Sequence, residues 1–260
     1  MYRIEDTDCV KKLFEGWEES LIWTCLEGVN EQEQVMGAVY ADDLDAPGSA
    51  IAVLGDFCFL AGAPNPELVK YRPGGGQNFI IMVPQNGQWA ELIEGIYQNA
   101  ATKVERYAIK KEADVFDRKY LSQIVGNIQE GYSLHSIDEA LYKRCWEQPW
   151  SRDLVAQFES SDIYARYGLG FVILRDGEIV AGASSYSVYR QGIEIEIDTR
   201  KDYRRKGLAL ICGARLILEC LDRGLYPSWD AQNRASVALA QKLGYHYAYA
   251  YTAYEIRWDS

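Results

Sequence analysis

The run Arg204-Arg205-Lys206-Gly207-Leu208-Ala209 places a basic turn with a glycine between a segment of strand periodicity and one of helix periodicity. Ahead of it, Ile193, Ile195 and Ile197 alternate with Glu194, Glu196 and Asp198, the period-two pattern of a half-buried strand over Ile193 to Thr199. Behind it, Leu208, Ile211, Ala214, Ile217, Leu218 and Leu221 recur at three- and four-residue spacing, which predicts a helix from Lys206 to Asp222. A strand that passes straight into a helix offers the helix's unpartnered first N–H groups and the positive end of its dipole at the turn. Such a junction holds an anion, phosphate above all, before any charged side chain is counted. Arg200, Lys201, Arg204, Arg205 and Lys206 add formal charge to it.

The surrounding chain has the opposite sign, with a formal net charge of -11 over 260 residues. Electrostatics of that sign repel a polyanion, and one basic turn is too small for the broad positive face of a nucleic-acid binder. Hydrophobic content of 48% and charged content of 25% are ordinary for a globular protein. No apolar run is long enough to cross a bilayer and Met1 to Asp6 lack a signal-peptide core, so the expectation is a cytoplasmic protein without a membrane partner. The six cysteines are scattered, with no C-x-x-C pair and no histidine set beside them, which argues against a metal site or redox motif. Cys212 and Cys220 fall on the long helix as core fillers, and His135 and His246 read as surface or strand residues.

Along the amino half, the spacing predicts a helix at Cys9 to Glu19 and strands at Leu21 to Leu26, Met36 to Ala41 and Ala50 to Ala61. A short helix at Pro64 to Tyr71, a loop at Arg72 to Gly76, a strand at Phe79 to Val83, a helix at Gln88 to Ala101 and a strand at Val104 to Lys110 follow. The acidic loop Asp42 to Gly48 lacks the spacing of a calcium loop, and the triple glycine lacks the lysine and hydroxyl residue of a phosphate loop. Phe116 to Ile128 reads as a linking helix. The carboxyl half predicts a strand at Tyr132 to Leu134, helices at Ser136 to Cys145 and Arg152 to Phe158 with Ser151 as a cap, and a hairpin of Gly170 to Leu174 with Ile179 to Tyr189 turning at Asp176-Gly177. A strand at Tyr226 to Trp229, a helix at Arg234 to Leu243 and a strand at Tyr245 to Arg257 close the chain.

The segment from about Ser133 to Trp258 resembles the GNAT superfamily of acyl-CoA-dependent N-acyltransferases, whose pyrophosphate loop reads Q/R-x-x-G-x-G/A. Arg204, Gly207 and Ala209 fill its three fixed places, and Gln241-Lys242-Leu243-Gly244-Tyr245 looks like the family's run into the last strand. The resemblance implies an α/β fold with a mixed sheet at residues 132–260, a linking helix at 116–131, and a smaller α/β domain at 1–115 whose layout suggests a degenerate copy.

It also implies transfer of an acetyl group from acetyl-CoA to a primary amine, without a metal. The diphosphate would sit on Arg204, Arg205, Lys206, Gly207, Leu208 and Ala209, and the pantetheine arm on the backbone of Ile197, Asp198 and Thr199, with Asn233 beside it. The chain's acidity fits a cationic amine acceptor. A general base is needed to free the amine's lone pair, and Glu194, Glu196 and Asp198 share one strand face. The plain alternative is that these acids face solvent.

One departure matters. Many relatives carry a tyrosine in the later helix that protonates the departing thiolate, and here that place is Ala240. Tyr186, Tyr245, Tyr247 or water could substitute. The loss leaves open a catalytically weakened acyl-CoA-binding or regulatory protein.

Overall fold

The structure is a computed structural model that describes residues 1–27, 36–74 and 76–258; Gly75 of the expected glycine loop lies outside them. The chain forms two units, Met1–Arg106 with Ala250–Ser260, and Tyr107–Tyr249. Their boundaries fall inside two strands.

The first unit contains β1 (Tyr2–Ile4), α1 (Ser20–Glu27), β2 (Ala38–Ala41), β3 (Ser49–Leu54), β4 (Phe57–Gly62), α2 (Pro66–Val69), β5 (Phe79–Pro84), α3 (Gly87–Tyr97) and most of β6 (Ala101–Ile109). Strands β1 to β5 pair in sequence order, antiparallel except for β4 with β5. That parallel pair is joined across α2, as a parallel connection requires a crossover. Trp89 of α3 is fully buried with Ile51, Leu60, Ile80 and Met82, and its indole N–H donates to the Gly62 carbonyl at 2.9 Å.

Three expectations for this unit are corrected. Leu21 to Leu26 lies in helix α1, because a six-residue apolar run reads equally as a buried strand or a buried helix. Cys9 to Glu19 is no α-helix: two 3₁₀ turns, Thr7–Cys9 and Lys11–Phe14, are followed by Gly16 at φ +88°. The single strand expected at Ala50 to Ala61 is the hairpin β3–β4, in which Leu54 faces Phe57 across the two-residue turn Gly55-Asp56.

The second unit contains α4 (Arg118–Gly126), β7 (Tyr132–Ser136), α5 (Glu139–Glu147), α6 (Ser161–Tyr167), β8 (Gly170–Arg175), β9 (Glu178–Tyr189), β10 (Gly192–Thr199), α7 (Leu208–Asp222), β11 (Tyr226–Ser228), β12 (Asp230–Ala231), α8 (Arg234–Lys242) and the start of β13 (Tyr247–Arg257). Its sheet runs β11-β10-β9-β8-β7, with β10 and β11 parallel and the other pairs antiparallel. Helix α7 packs on β8, β9 and β10 with Leu208, Cys212, Leu216 and Ile217 buried.

Here too the helix ends differ from expectation. Ser136 stays in β7 opposite Phe171, and α5 begins only where the Asp138 carboxylate accepts the Leu141 amide at 2.8 Å. Ser151 caps nothing, since its hydroxyl donates to the Cys145 carbonyl at 3.2 Å, and Arg152–Leu154 is a 3₁₀ turn instead of a helix to Phe158. Helix α6, capped by Ser160, was not anticipated. Among the described residues no helix is long and apolar enough to cross a membrane.

Candidate active site

Two parallel strands that part company make the opening of the second unit. On one edge β10 pairs with β9 from Gly192 to Thr199. On the other, its ladder with β11 covers only Gly192, Ile193 and Glu194, opposite Tyr226, Pro227 and Ser228. The chain then leaves: Asp230 and Ala231 pair with Ala108 and Tyr107. From Ile195 onward β10 therefore forms one wall of a wedge. The β9 partner carries a bulge at the same level, because Glu194 faces Ser187 and Ile195 faces Ser185, which leaves Tyr186 as the extra residue. Nothing in the sequence read for Tyr186 marked this, although a run of small serines on both sides is compatible with a kinked, tightly covered strand.

The basic turn lies at the far end of that wall. A 3₁₀ turn at Lys201–Tyr203 leads to Arg204 in extended conformation, then Arg205 at φ +63° and Gly207 at φ +80°. Two left-handed residues so close together bend the chain sharply ahead of the helix. Helix α7 starts at Leu208, two residues later than expected, with Gly207 as its cap residue and no side chain capping it. A Cβ built on Gly207 meets no atom within 4 Å, so a side chain there would enter open space without striking protein.

Not all of the basic residues are equally available. The Arg200 guanidinium grips Asp202 through two bonds of 2.9 and 3.1 Å and lies 4.6 Å from the Tyr203 ring centre. The Lys206 ammonium sits over the same ring at 4.4 Å. Arg204 folds back, its Nε donating to the Thr199 carbonyl at 3.1 Å, which ties the turn to the end of β10. Leu208 is buried in the core, so only its amide can face a ligand.

Thr199 supplies a further clue. Its hydroxyl oxygen is buried and has no hydrogen-bond partner, the single side-chain atom of that kind among the described residues. A buried hydroxyl left unmatched costs about 1–3 kcal/mol, so a partner supplied to it at the end of the wedge would be stabilising.

The acids of β10 do not face open solvent. Gly182 stands opposite Asp198 in the register, and a Cβ there would fall 2.5 Å from Leu154 Cδ1, so the missing side chain lets the Arg152–Leu154 turn close over this face. Ile197 points the other way, its Cδ1 lying where a Cβ on Gly213 of α7 would meet it at 3.2 Å. Glu194, Glu196 and Asp198 thus share the covered face; Glu194 is 6% exposed, and Glu196 and Asp198 are half-buried. The Glu194 carboxylate accepts the Asp230 amide at 2.6 Å.

Burial pushes the Asp198 carboxyl above its usual range, opposed by the Thr199 amide and the Arg204 guanidinium and reinforced by the nearby Asp153 carboxylate. A carboxyl raised in the folded state holds more protons than in the unfolded chain, so stability falls as pH rises from the unfolded value through the folded one. Asp198→Asn should therefore raise Tm at neutral pH, with the gain vanishing in acid below the unfolded carboxylate range; thermal melts of both proteins across pH check the sign.

Asn233 caps α8, its Oδ1 accepting the Ala235 and Ser236 amides at 3.0 Å each. Ala240 is fully buried. Of the three tyrosines considered as substitutes for an acid there, Tyr245 is ruled out: it is 2% exposed, its hydroxyl donates to the Pro227 carbonyl at 2.7 Å, and burial holds its pKa well above the usual value. Tyr247 is exposed beside Tyr107, and Tyr186 is buried at the bulge. Burial likewise lifts the Cys212 thiol and pushes Cys220 up to about 12, which keeps both protonated and inert. No group of three or more His, Cys, Asp or Glu that could hold a metal occurs among the described residues.

Parallel strands that part after Glu194, with a glycine-turned helix start beyond them, complete the geometry of the site. The sequence profile described as GNAT acetyltransferase matches residues 11–254. A solved GCN5-related N-acetyltransferase-like protein from Streptococcus suis 89/1591 is 48% identical, with a TM-score of 0.90 over 97% of this chain and 99% of that one. The uncharacterized N-acetyltransferase YdfB of Bacillus subtilis (strain 168) is 27% identical over 239 residues, 85% of this chain and 86% of that protein. A GCN5-related N-acetyltransferase from Kribbella flavida shares the fold at 13% identity and a TM-score of 0.51, over 82% of this chain and 88% of that one. The chain belongs to the GNAT acetyltransferase family.

Proposed function

We propose that the protein is a cytoplasmic enzyme that transfers the acetyl group of acetyl-CoA to a primary amine by direct attack, using the wedge beside β10. The observation that carries this reading is the separation of β10 from β11 after Glu194, next to a helix start that no side chain caps. Acetyl-CoA supplies the activated thioester. The amides from Arg205 to Ala209 hold its diphosphate, with Arg204 and Lys206 adding charge, and the backbone of Ile197, Asp198 and Thr199 lines its pantetheine arm. Asn233 uses its Oδ1 as a cap and keeps its Nδ2 for that arm. Glu196, half-buried just past the last β10–β11 rung, takes the proton of the acceptor ammonium directly or through water. In this reading residues 1–115 are a degenerate copy of the carboxyl half; the parallel pair β4–β5, crossed over by α2, repeats the plan of β10 and β11 crossed over by α7.

The unmatched Thr199 hydroxyl gives a test with two readouts of opposite sign. Thr199→Val should melt higher than the native protein without ligand, because it removes an unsatisfied buried hydroxyl. It should bind acetyl-CoA about tenfold more weakly, a difference of roughly 1.4 kcal/mol. Calorimetry and melting curves on the same samples measure both.

Turnover of acetyl-CoA against a panel of amines, followed by thiol release, tests the reaction itself. A second reading rests on Ala240 and on the engagement of Tyr245 with Pro227: a protein that binds acyl-CoA and reacts slowly or not at all. Tight coenzyme binding without thiol release from any amine would favour it.

A further inference from the structure

Resting on the acyl-transfer reading, we infer that Glu194 is the strut that holds the coenzyme wedge open, a positioning residue and not the base. Its location is the apex of the opening. Glu194 is the last β10 residue in register with β11, opposite Ser228, and two residues later on β11's side, at Asp230, the chain has changed partner. The Glu194 carboxylate spans that change, accepting the amide of Asp230, the first residue of β12, at 2.6 Å. A bond from a main-chain N–H to a carboxylate is short and strong, and at 6% exposure little water competes for it.

The two walls of the wedge are thereby fixed to one side chain. On one side lie Ile195 to Thr199 of β10, which continue straight along β9. On the other lies β12, directed toward Tyr107 and Ala108. The length of the Glu194 side chain sets how far β12 stands from β10 at the point where they part. The same burial removes it from proton transfer, because an acceptor ammonium would have to reach a covered carboxylate already bonded to main chain. Glu196, two residues on and half-buried, lies on the same face beyond the strut. The period-two alternation of the sequence made the three acids look equivalent; the bond to Asp230 separates the first from the other two.

Three substitutions at one position test this. Glu194→Asp keeps the charge and draws the carboxylate back by one methylene, Glu194→Gln keeps an acceptor without charge, and Glu194→Ala removes the tie. The expected result is a rise in acetyl-CoA Kd of tenfold or more for Glu194→Asp and Glu194→Ala and about threefold for Glu194→Gln. At saturating coenzyme kcat should stay within about threefold, and the acid limb of the pH profile should persist in all three. Exchange of the Asp230 amide with deuterium should speed up in the order Gln, Asp, Ala.

Unchanged coenzyme affinity with kcat lowered a hundredfold and the acid limb gone in Glu194→Gln would make Glu194 the base and overturn the strut. Slow Asp230 exchange and native affinity in Glu194→Asp would overturn it as well. If Glu194→Ala does not fold, the other two variants decide. A native protein that binds no acetyl-CoA defeats the acyl-transfer reading instead, and Asp230 exchange then judges the strut alone.

Discussion

Replacing Gly207 with glutamate should abolish measurable coenzyme binding, a loss of at least about a hundredfold in Kd, while the protein remains folded. The expectation follows from where that side chain must go. No atom lies within 4 Å of a Cβ at this position, so the substitution costs the fold only the left-handed backbone conformation at φ +80°. That strain is about 1–2 kcal/mol for a residue other than glycine, a Tm drop of a few degrees. A carboxylate at the start of α7 is itself favourable for the helix, since it meets the positive end of the dipole and the unpartnered amides. For that reason it competes with a diphosphate, taking the same N–H donors and repelling what remains. Two charge-assisted bonds lost at about 1.5–3 kcal/mol each give the factor stated. Gly207→Ala separates the effects, carrying the strain without the charge, and should lose much less affinity. Calorimetric titration of acetyl-CoA into the three proteins decides, and native affinity in Gly207→Glu would remove the turn from the site.

The same turn shows how far the sequence carried. Strand, basic glycine turn and helix were legible because each depends on local chemistry: alternation at Ile193 to Ile197, a residue that tolerates positive φ at 207, and apolar spacing from Leu208 onward. Asp176-Gly177 was legible for the same reason, and both residues have positive φ in the hairpin. What failed was decided at long range. Leu21 to Leu26 is helical through packing that a six-residue apolar run does not encode. Ser151 has the chemistry of a cap but spends its hydroxyl on Cys145. In the site, Arg204 lies near Thr199 through adjacency along the chain, and its Nε bonds the Thr199 carbonyl. The covering of the acidic face was not visible, because it needs Gly182 opposite Asp198 and Leu154 from a distant turn. Nor could spacing show that Asp230, 36 residues beyond Glu194, would donate its amide to that carboxylate.

Glu196→Gln should lower kcat by about 10²–10⁴ while leaving acetyl-CoA affinity near native, the range for losing a positioned general base. The sign of the pH effect follows from the chemistry. The native rate should climb with pH as the base gives up its proton, so the base produces the limb on the acid side of the profile. In Glu196→Gln that limb should disappear, and the remaining rate should rise at alkaline pH as the acceptor itself loses its proton, near 10 for a lysine-like amine. The glutamine keeps the shape and hydrogen-bonding capacity of the half-buried side chain opposite Ser184, so a loss confined to kcat cannot be ascribed to collapse of β10. Asp198 is the control on the same face. Its carboxyl is pushed up by burial and lies next to Thr199, at the coenzyme end of the strand, so Asp198→Asn should alter stability and coenzyme affinity more than the acid limb. A native profile in Glu196→Gln together with a vanished limb in Asp198→Asn would move the base two residues along the strand. If neither variant changes a measurable rate, the amine reacts without help from this face, and its acids serve only to hold a cationic acceptor in place.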